Sequence, residues 1–248
     1  MTAPYEKAAE EAAKAGGKLV DAGRELAAFA RTVLGAGFAE LGGAFADWAS
    51  AYRYEQAVKL AERVHRAHQR RGIAGHTVPI PPRLGIPLLQ QATLEDDGAL
   101  LDMWAGLISN ATDPHRRTEA RRSYCGLLSS MEPLDALVLR ELYVCKIDNP
   151  GREVLKPPHL MTEEELAQYR RQWPSILELP DRVGSDRDSL SLALENLERL
   201  GLIFGYMPET EPSEDTLTIP GQAVPITDER ALIDLTHTGV ALMRACAD

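Results

Sequence analysis

The stretch DSLSLALENLERLGLI, Asp188–Ile203, says most about how this chain folds. Leu190, Leu194 and Leu197 recur at helical spacing and therefore share one face, and Gly201 follows where such a helix would end. The sequence then changes to GLIFGYM, which has the composition of a strand. The stretch predicts an amphipathic helix that leads directly into a β-strand.

The segments on either side predict the rest of a small domain. Two helices are predicted upstream, PLDALVLRELYV and MTEEELAQYRRQW, and the second has a capping pattern in which Glu165 follows Thr162 by three residues. Downstream, a polar loop separates the strand from a closing helix, LTHTGVALMRACA, capped near Thr236. Three helices, a β-hairpin and a closing helix are the order of a winged helix. We predict a winged-helix-like domain over residues 131–248.

The first 130 residues predict further helices. Residues 1–75 form a glycine-rich, amphipathic helical region whose last helix ends at Gly72, and residues 76–130 form a central helical region bounded by prolines. At the start of the latter, GHTVPIPPRLGIPLLQ is predicted to be a boundary or an extended connector because of its four prolines. A helix through Leu100, Trp104 and Ile108 follows it. The predicted fold class is mainly α, with N-terminal amphipathic helices, a central helical region and a winged-helix-like module carrying a small β-hairpin.

Apolar side chains in the glycine-rich region fall within one arc of a helix. Such a face can pack against the rest of the protein, or it can contact a membrane surface or another helix, because small residues permit close approach. The candidate interaction or membrane face comprises Leu26, Val33, Leu34, Leu41, Phe45 and Trp48.

Charge is distributed unevenly along the chain, whose net charge is −10. Residues 161–248 contain 17 acidic and 7 basic side chains. The net negative charge of this region repels phosphate. The helix that would read DNA offers Glu195, Asn196, Glu198 and one arginine, Arg199, so protein contact is favoured over DNA binding. The candidate basic patch is Arg116, Arg117, Arg121 and Arg122, which could grip phosphate or pair with acidic residues.

No strong catalytic, cofactor or metal motif occurs in the sequence, so we predict a non-enzymatic protein without a cofactor. Two carboxylate clusters, Glu95–Asp97 and Glu163–Glu165, fall where helices are predicted to start. His65 and His68 lack an evident third metal ligand nearby. Three cysteines without CxxC spacing predict reduced thiols, and no secretory signal or membrane-spanning run is visible. We expect a cytoplasmic protein that associates with membranes on activation.

Several stretches together resemble a known family. They are PPRLGIPLLQQATLEDDGALLDMWAGLISNATDP, LLSSMEPLDALVLREL, NLERLGLI and LTHTG, and their succession resembles the Abi-alpha family of bacterial abortive-infection proteins from about Pro79 to Ala245. The resemblance implies antiphage defence, in which infection triggers arrest or death of the host cell, and it brings no catalytic residues. The matching landmarks are Glu95, Trp104, Ala105, Pro133, Leu134, Asp135, Leu200, Gly201 and Leu202.

Three functional hypotheses follow. The first is a non-enzymatic defence protein whose partners are a phage or host protein and a membrane surface, with self-association through the glycine-rich face. The second is a winged-helix DNA-binding transcriptional regulator whose phosphate contacts come from the arginines between Arg116 and Arg122 and between Arg63 and Arg71, although nucleic acid is the less favoured partner. The third is a nuclease that uses the acidic clusters Glu95–Asp97 and Glu163–Glu165, which would require carboxylates to converge with a basic residue at metal ions.

Overall fold

The computed structural model describes residues 28–35, 51–147, 162–165, 179–206 and 232–247. Within these residues the protein is mainly helical and contains one pair of short antiparallel strands, which confirms the predicted fold class. A helical stretch covers residues 28–34. The other elements are α1 (Ala51–Arg70), α2 (Pro82–Ala92), α3 (Gly98–Thr112), α4 (Arg122–Leu128), α5 (Pro133–Ile147), α6 (Leu179–Val183), α7 (Arg187–Arg199), β1 (Ile203–Tyr206), β2 (Leu232–Leu235) and α8 (His237–Cys246).

Two compact units divide the chain. The first comprises Met1–Gly126 together with Ala245–Asp248, and the second comprises Leu127–Arg244. Residues 245–247 therefore belong to the same unit as α1, α2 and α3. The predicted division at residues 75 and 130 stays a prediction.

In the first unit, α1 packs against α3. Leu60 and Val64 of α1, and Trp104 and Leu107 of α3, are buried because apolar residues at helical spacing turn toward each other across the contact. Arg63 spans the edge of this packing, and its Nε donates to Asp102 Oδ1 at 2.8 Å. Since the Asp102 side chain is largely exposed, this ion pair stabilises the fold by at most about 1 kcal/mol.

The prediction of an extended connector after residue 76 is wrong over its second half. Residues Pro82–Ala92 form α2, with Pro82 in the first helical turn and Pro87 inside the helix. Proline is tolerated in a first turn because the N–H it lacks would have no intrahelical partner there. Pro87 removes one further backbone donor. The helix forms nevertheless, because the side chains of Leu88, Leu89 and Ala92 are buried within the first unit.

A buried polar group joins α3 to residues 245–247. The Asn110 side chain is fully buried, and its Nδ2 donates to the Ala245 carbonyl oxygen at 2.6 Å and to that of Ala247 at 3.2 Å. Arg71 Nη1 donates to Asn110 Oδ1 at 2.6 Å, and Arg71 Nη2 donates to the Ala247 carbonyl. Gly106 makes room for this contact, because a Cβ there would overlap the Cys246 carbonyl oxygen.

In the second unit, α5 packs against α6 and α7, and the two strands follow α7. The strands run antiparallel, from the pair Ile203 and Leu235 to the pair Tyr206 and Leu232. Gly201 ends α7 with a φ of 68°, which favours glycine, so the predicted stop is confirmed. The winged-helix assignment of residues 131–248 stays a prediction.

A buried ion pair fixes β2 to α5. Asp234 is fully buried, and its two carboxylate oxygens accept from Lys146 Nζ at 3.1 and 3.3 Å. Its Oδ1 also accepts from the Leu235 N–H at 2.7 Å. A buried carboxylate needs such partners. Removing either Asp234 or Lys146 would leave the charge of the other uncompensated.

Candidate functional site

The exposed side of α7 combines acidic side chains with one large apolar residue. Asp188, Leu192, Glu195 and Arg199 lie near one another at helical spacing and are exposed, and we call these four residues the outer face of α7. Leu192 is 69% exposed, more than any other large hydrophobic side chain within the described parts of the chain. The opposite side of the helix buries leucines and Ala193 in the second unit.

Asn196, which the sequence placed among possible base-reading residues, is engaged inside the second unit. Its Nδ2 donates to the Ser130 carbonyl at 3.1 Å and to Asp135 Oδ2. Its Oδ1 accepts from Arg199 Nη2 at 2.6 Å and from Arg199 Nε at 3.2 Å. Both the nitrogen and the oxygen of the Asn196 amide are therefore hydrogen-bonded. The Arg199 guanidinium bonds to a residue of its own helix.

Asp135 links the start of α5 to α7. Its Oδ2 accepts from the Glu132 N–H at 2.8 Å, which is the back-bond of a helix cap. Burial raises the pKa of the Asp135 carboxyl, while the hydrogen bonds from Glu132 and Asn196 oppose that rise. The Asp135 side chain thus links α5 to α7 by hydrogen bonds within the second unit.

The candidate basic patch lies between α3 and the start of α4. Arg117, Arg121 and Arg122 are exposed. Arg116 is less exposed, and its Nη2 pairs with Glu119 Oε2 at 3.1 Å. Residues 51–126 contain eleven basic and eight acidic side chains, so this part of the chain is modestly positive. Three of the four predicted residues therefore offer charge to solvent.

Two residues of the candidate apolar face lie within the described structure, and both are buried. Val33 and Leu34 occupy the first unit, where the Val33 carbonyl accepts from the Ile80 N–H at 2.7 Å. In this structure these two side chains pack inward. Leu26, Leu41, Phe45 and Trp48 lie outside the described residues, so a membrane or interaction role for the face stays a prediction.

Both carboxylate clusters lie at helix starts, as predicted. Asp97 is the N-cap of α3, and its Oδ1 accepts from the N–H groups of Ala99 at 2.8 Å and Leu100 at 3.0 Å. Glu95 Oε1 accepts from the N–H groups of Asp96 and Asp97, and burial raises the Glu95 pKa. The capping box of Thr162 and Glu165 also forms, with distances of 2.8 and 3.2 Å.

The two histidines of α1 have separate partners. His68 is buried and its Nε2 lies 2.8 Å from Thr112 Oγ1, whereas His65 is exposed and bonds to Gln69. Within the described ranges, no three histidine, cysteine, aspartate or glutamate side chains form a group that could hold a metal ion. The described residues likewise contain no helix long and apolar enough to cross a membrane.

The three cysteines are not joined by disulfides within the described structure. Cys125 and Cys246 are buried, and burial raises the pKa of both thiols. Protonated, buried thiols are poor nucleophiles. Neither side chain therefore has the setting of a reactive cysteine.

The family described as abortive infection alpha matches residues 53–246, which include α1 to α8 almost entirely. The chain belongs to the abortive infection alpha family. The match confirms the resemblance seen in the sequence and extends it toward the start of α1. No curated protein and no solved structure gives a significant match.

The abortive infection alpha landmarks have mainly structural positions in this chain. Trp104 is buried in α3, Asp135 caps α5 and Gly201 ends α7. Leu200 is only partly buried, because it is the C-cap that follows α7. The exposure of Leu192 was not predicted from the sequence. The helical spacing could have indicated it, because Leu192 does not share the face formed by Leu190, Leu194 and Leu197.

Proposed function

We propose that this protein is a non-enzymatic antiphage defence protein that contacts a phage or host protein through the outer face of α7. Membership of the abortive infection alpha family supports the defence role. The observation that carries the contact site is Leu192, a leucine left 69% exposed on a helix whose opposite face is packed. An isolated exposed leucine is ordinary, but here exposed charges surround it.

The chemistry of this face suits a basic protein segment with an apolar side chain. Asp188 and Glu195 flank Leu192 on one side of the helix, and Glu198 is exposed nearby. Apolar anchors provide affinity in interfaces, and complementary charges at the rim provide orientation and association rate. The same carboxylates repel the phosphates of DNA, and the engaged amide of Asn196 leaves α7 without a ready group for base edges.

A phage challenge tests this proposal. Bacteria carrying the intact gene should survive as a culture at low phage dose and collapse at high dose, because infected cells die before phage is released. A variant with Leu192→Lys and Glu195→Lys should lose protection, since it removes the anchor and repels a basic partner. Lysine is a good helix former, so the variant should keep its melting temperature.

Leu94→Lys is the matched control, because Leu94 is an exposed leucine in the first unit. It should protect as the intact protein does. Full protection by the α7 variant would remove the proposed contact site while leaving the defence role standing. An unchanged outcome with the intact gene across a diverse phage panel would remove the defence role itself.

The effect on the cell is proposed to come from the apolar face at residues 26–48, through a membrane surface or self-association. Deleting residues 1–50 would also remove Val33 and Leu34, which are buried, so the deletion would damage the first unit. Leu41→Lys with Phe45→Lys is the sharper change. We expect this double variant to abolish protection. It should also reduce either the binding to anionic vesicles or the fraction of protein that sediments as an oligomer. Undiminished protection would rule out this face.

The exposed Arg117, Arg121 and Arg122 favour a second candidate, a DNA-binding regulator. Phosphate contacts release counterions, so binding to duplex DNA would weaken steeply as salt rises. Changing the three arginines to alanine would then reduce both the affinity and the salt dependence. Absence of duplex binding even at low salt would eliminate this candidate.

A further inference from the structure

A cavity of about 490 Å³ lies between the helical stretch at 28–34 and α1. Phe29 contributes to one wall, and Val58, Ala61 and Val64 contribute to the other. Thr32, Glu62, His65 and His68 add polar groups, and Glu62 and His65 are exposed to solvent at the rim. The volume falls in the range of about 300–1,000 Å³ in which proteins bind small molecules, and an apolar lining with few polar groups is typical of such sites.

His68 is the polar group that is built into this cavity. Its side chain is only 5% exposed, and its Nε2 lies 2.8 Å from Thr112 Oγ1. The Thr112 hydroxyl faces the carbonyls of Ile108 and Ser109, each at 3.0 Å, and donates its single hydrogen there. This arrangement favours the tautomer in which Thr112 accepts from His68 and the ring proton lies on Nε2.

This tautomer leaves Nδ1 of His68 as a hydrogen-bond acceptor. Among the described residues no donor is bonded to Nδ1. Burial, and then the positive charge of Arg71, lower the pKa of His68, so the ring is neutral near pH 7 and accepts rather than donates at Nδ1. Solvent reaches Nδ1, because the atom is not one of the fully buried polar atoms that lack a partner, and a bound molecule with an O–H or N–H group would take the place of that water.

We propose that the cavity binds a small uncharged molecule with an apolar, ring-bearing body and one hydroxyl or N–H donor that reaches His68 Nδ1. The apolar body lies against Phe29, Val58 and Val64, and the donor points to the histidine. A charged ligand is disfavoured, because the lining beyond the rim is apolar. The site lies in the first unit and does not depend on the contact proposed for α7.

The test uses the full chain with 2-naphthol as the donor-bearing probe and naphthalene as the probe without a donor. Saturable binding of 2-naphthol, measured by titration calorimetry, is expected to be about tenfold tighter than that of naphthalene, the value of one hydrogen bond. The His68 ring nitrogen resonances should shift when 2-naphthol binds. Equal affinities for the two probes, or no saturable binding up to the solubility limit of 2-naphthol, would overturn the proposal.

Two variants separate binding from folding. Ala61→Phe fills the cavity from a partly exposed position and should abolish binding while the melting temperature holds. Glu62→Gln changes the rim without touching the donor site and should bind as the intact protein does. Unchanged 2-naphthol affinity in Ala61→Phe would place the probe elsewhere and reject the site.

Discussion

Gly106 shows at the scale of one residue how closely the first unit is packed. Its Cα lies against the backbone of Cys246, where no side chain fits. Gly106→Ala is expected to lower the free energy of unfolding by about 3 kcal/mol or more, because a backbone carbonyl cannot move aside cheaply. Gly126→Ala is the control, since its Cβ would meet open space within α4. That variant should gain about 0.5–1 kcal/mol in urea denaturation. Equal stabilities would contradict the close approach.

His68 makes the stability of the protein depend on pH. In the unfolded chain its pKa is near 6.5, whereas burial, Arg71 and His65 lower it in the folded protein and Asp113 partly opposes them. Between the two values the unfolded chain binds more protons. The free energy of unfolding therefore falls as the pH drops below about 6.5, by up to about 1.4 kcal/mol per pH unit.

His68→Gln removes this titration and keeps an amide that can donate to Thr112. Its melting temperature should fall less than that of the intact protein between about pH 7.5 and about pH 5.5. Thermal melts at the two pH values measure the difference. Equal losses in both proteins would assign the pH dependence to other groups.

The start of α3 tests, at the scale of an element, what the carboxylates there do. Asp97→Ala removes the cap and should cost about 1 kcal/mol of stability, whereas Asp97→Asn should cost little, because asparagine caps equally well. If Asp96 and Asp97 instead served a nuclease, Asp97→Asn would abolish a magnesium-dependent cleavage. Denaturation and nuclease assays on the two variants distinguish these roles.

Helices were predictable from the sequence where local patterns decide them. The periodicity of α1, α3, α5 and α7 and the glycine or capping residues at their ends agree with the structure. α2 was not predicted, because its prolines disfavour a helix locally and buried leucines override that preference. The exact position of β2 was also missed, since its buried Asp234 depends on Lys146, 88 residues earlier in the chain.

The candidate sites were predictable only in part, for the same reason. The sequence identified the acidic character of α7 and the arginines around residue 120, which are local features. It could not show that Asn196 is bonded to Asp135, 61 residues away, or that residues near Phe29 and Val58 enclose a cavity. Both depend on contacts between distant segments.

At the scale of the whole molecule, the first unit should depend on residues that follow the second. Deleting Ala245–Asp248 removes the acceptors of Asn110, so amide exchange in α1 and α3 should become faster while α5 and α7 keep their protection. Deleting Asp248 alone leaves both acceptors and is the control. Uniform acceleration across both units would contradict the assignment of residues 245–247 to the first unit.

The reach of Asn110 also sets an order of events during translation. Its acceptors lie 135 and 137 residues further along the chain, so the ribosome must synthesise the entire second unit before the first can close. At about 5–20 residues per second, the nascent first unit waits roughly 7 to 27 seconds for its last contacts. A ribosome that stalls before Ala245 leaves that unit unfinished, however long it waits.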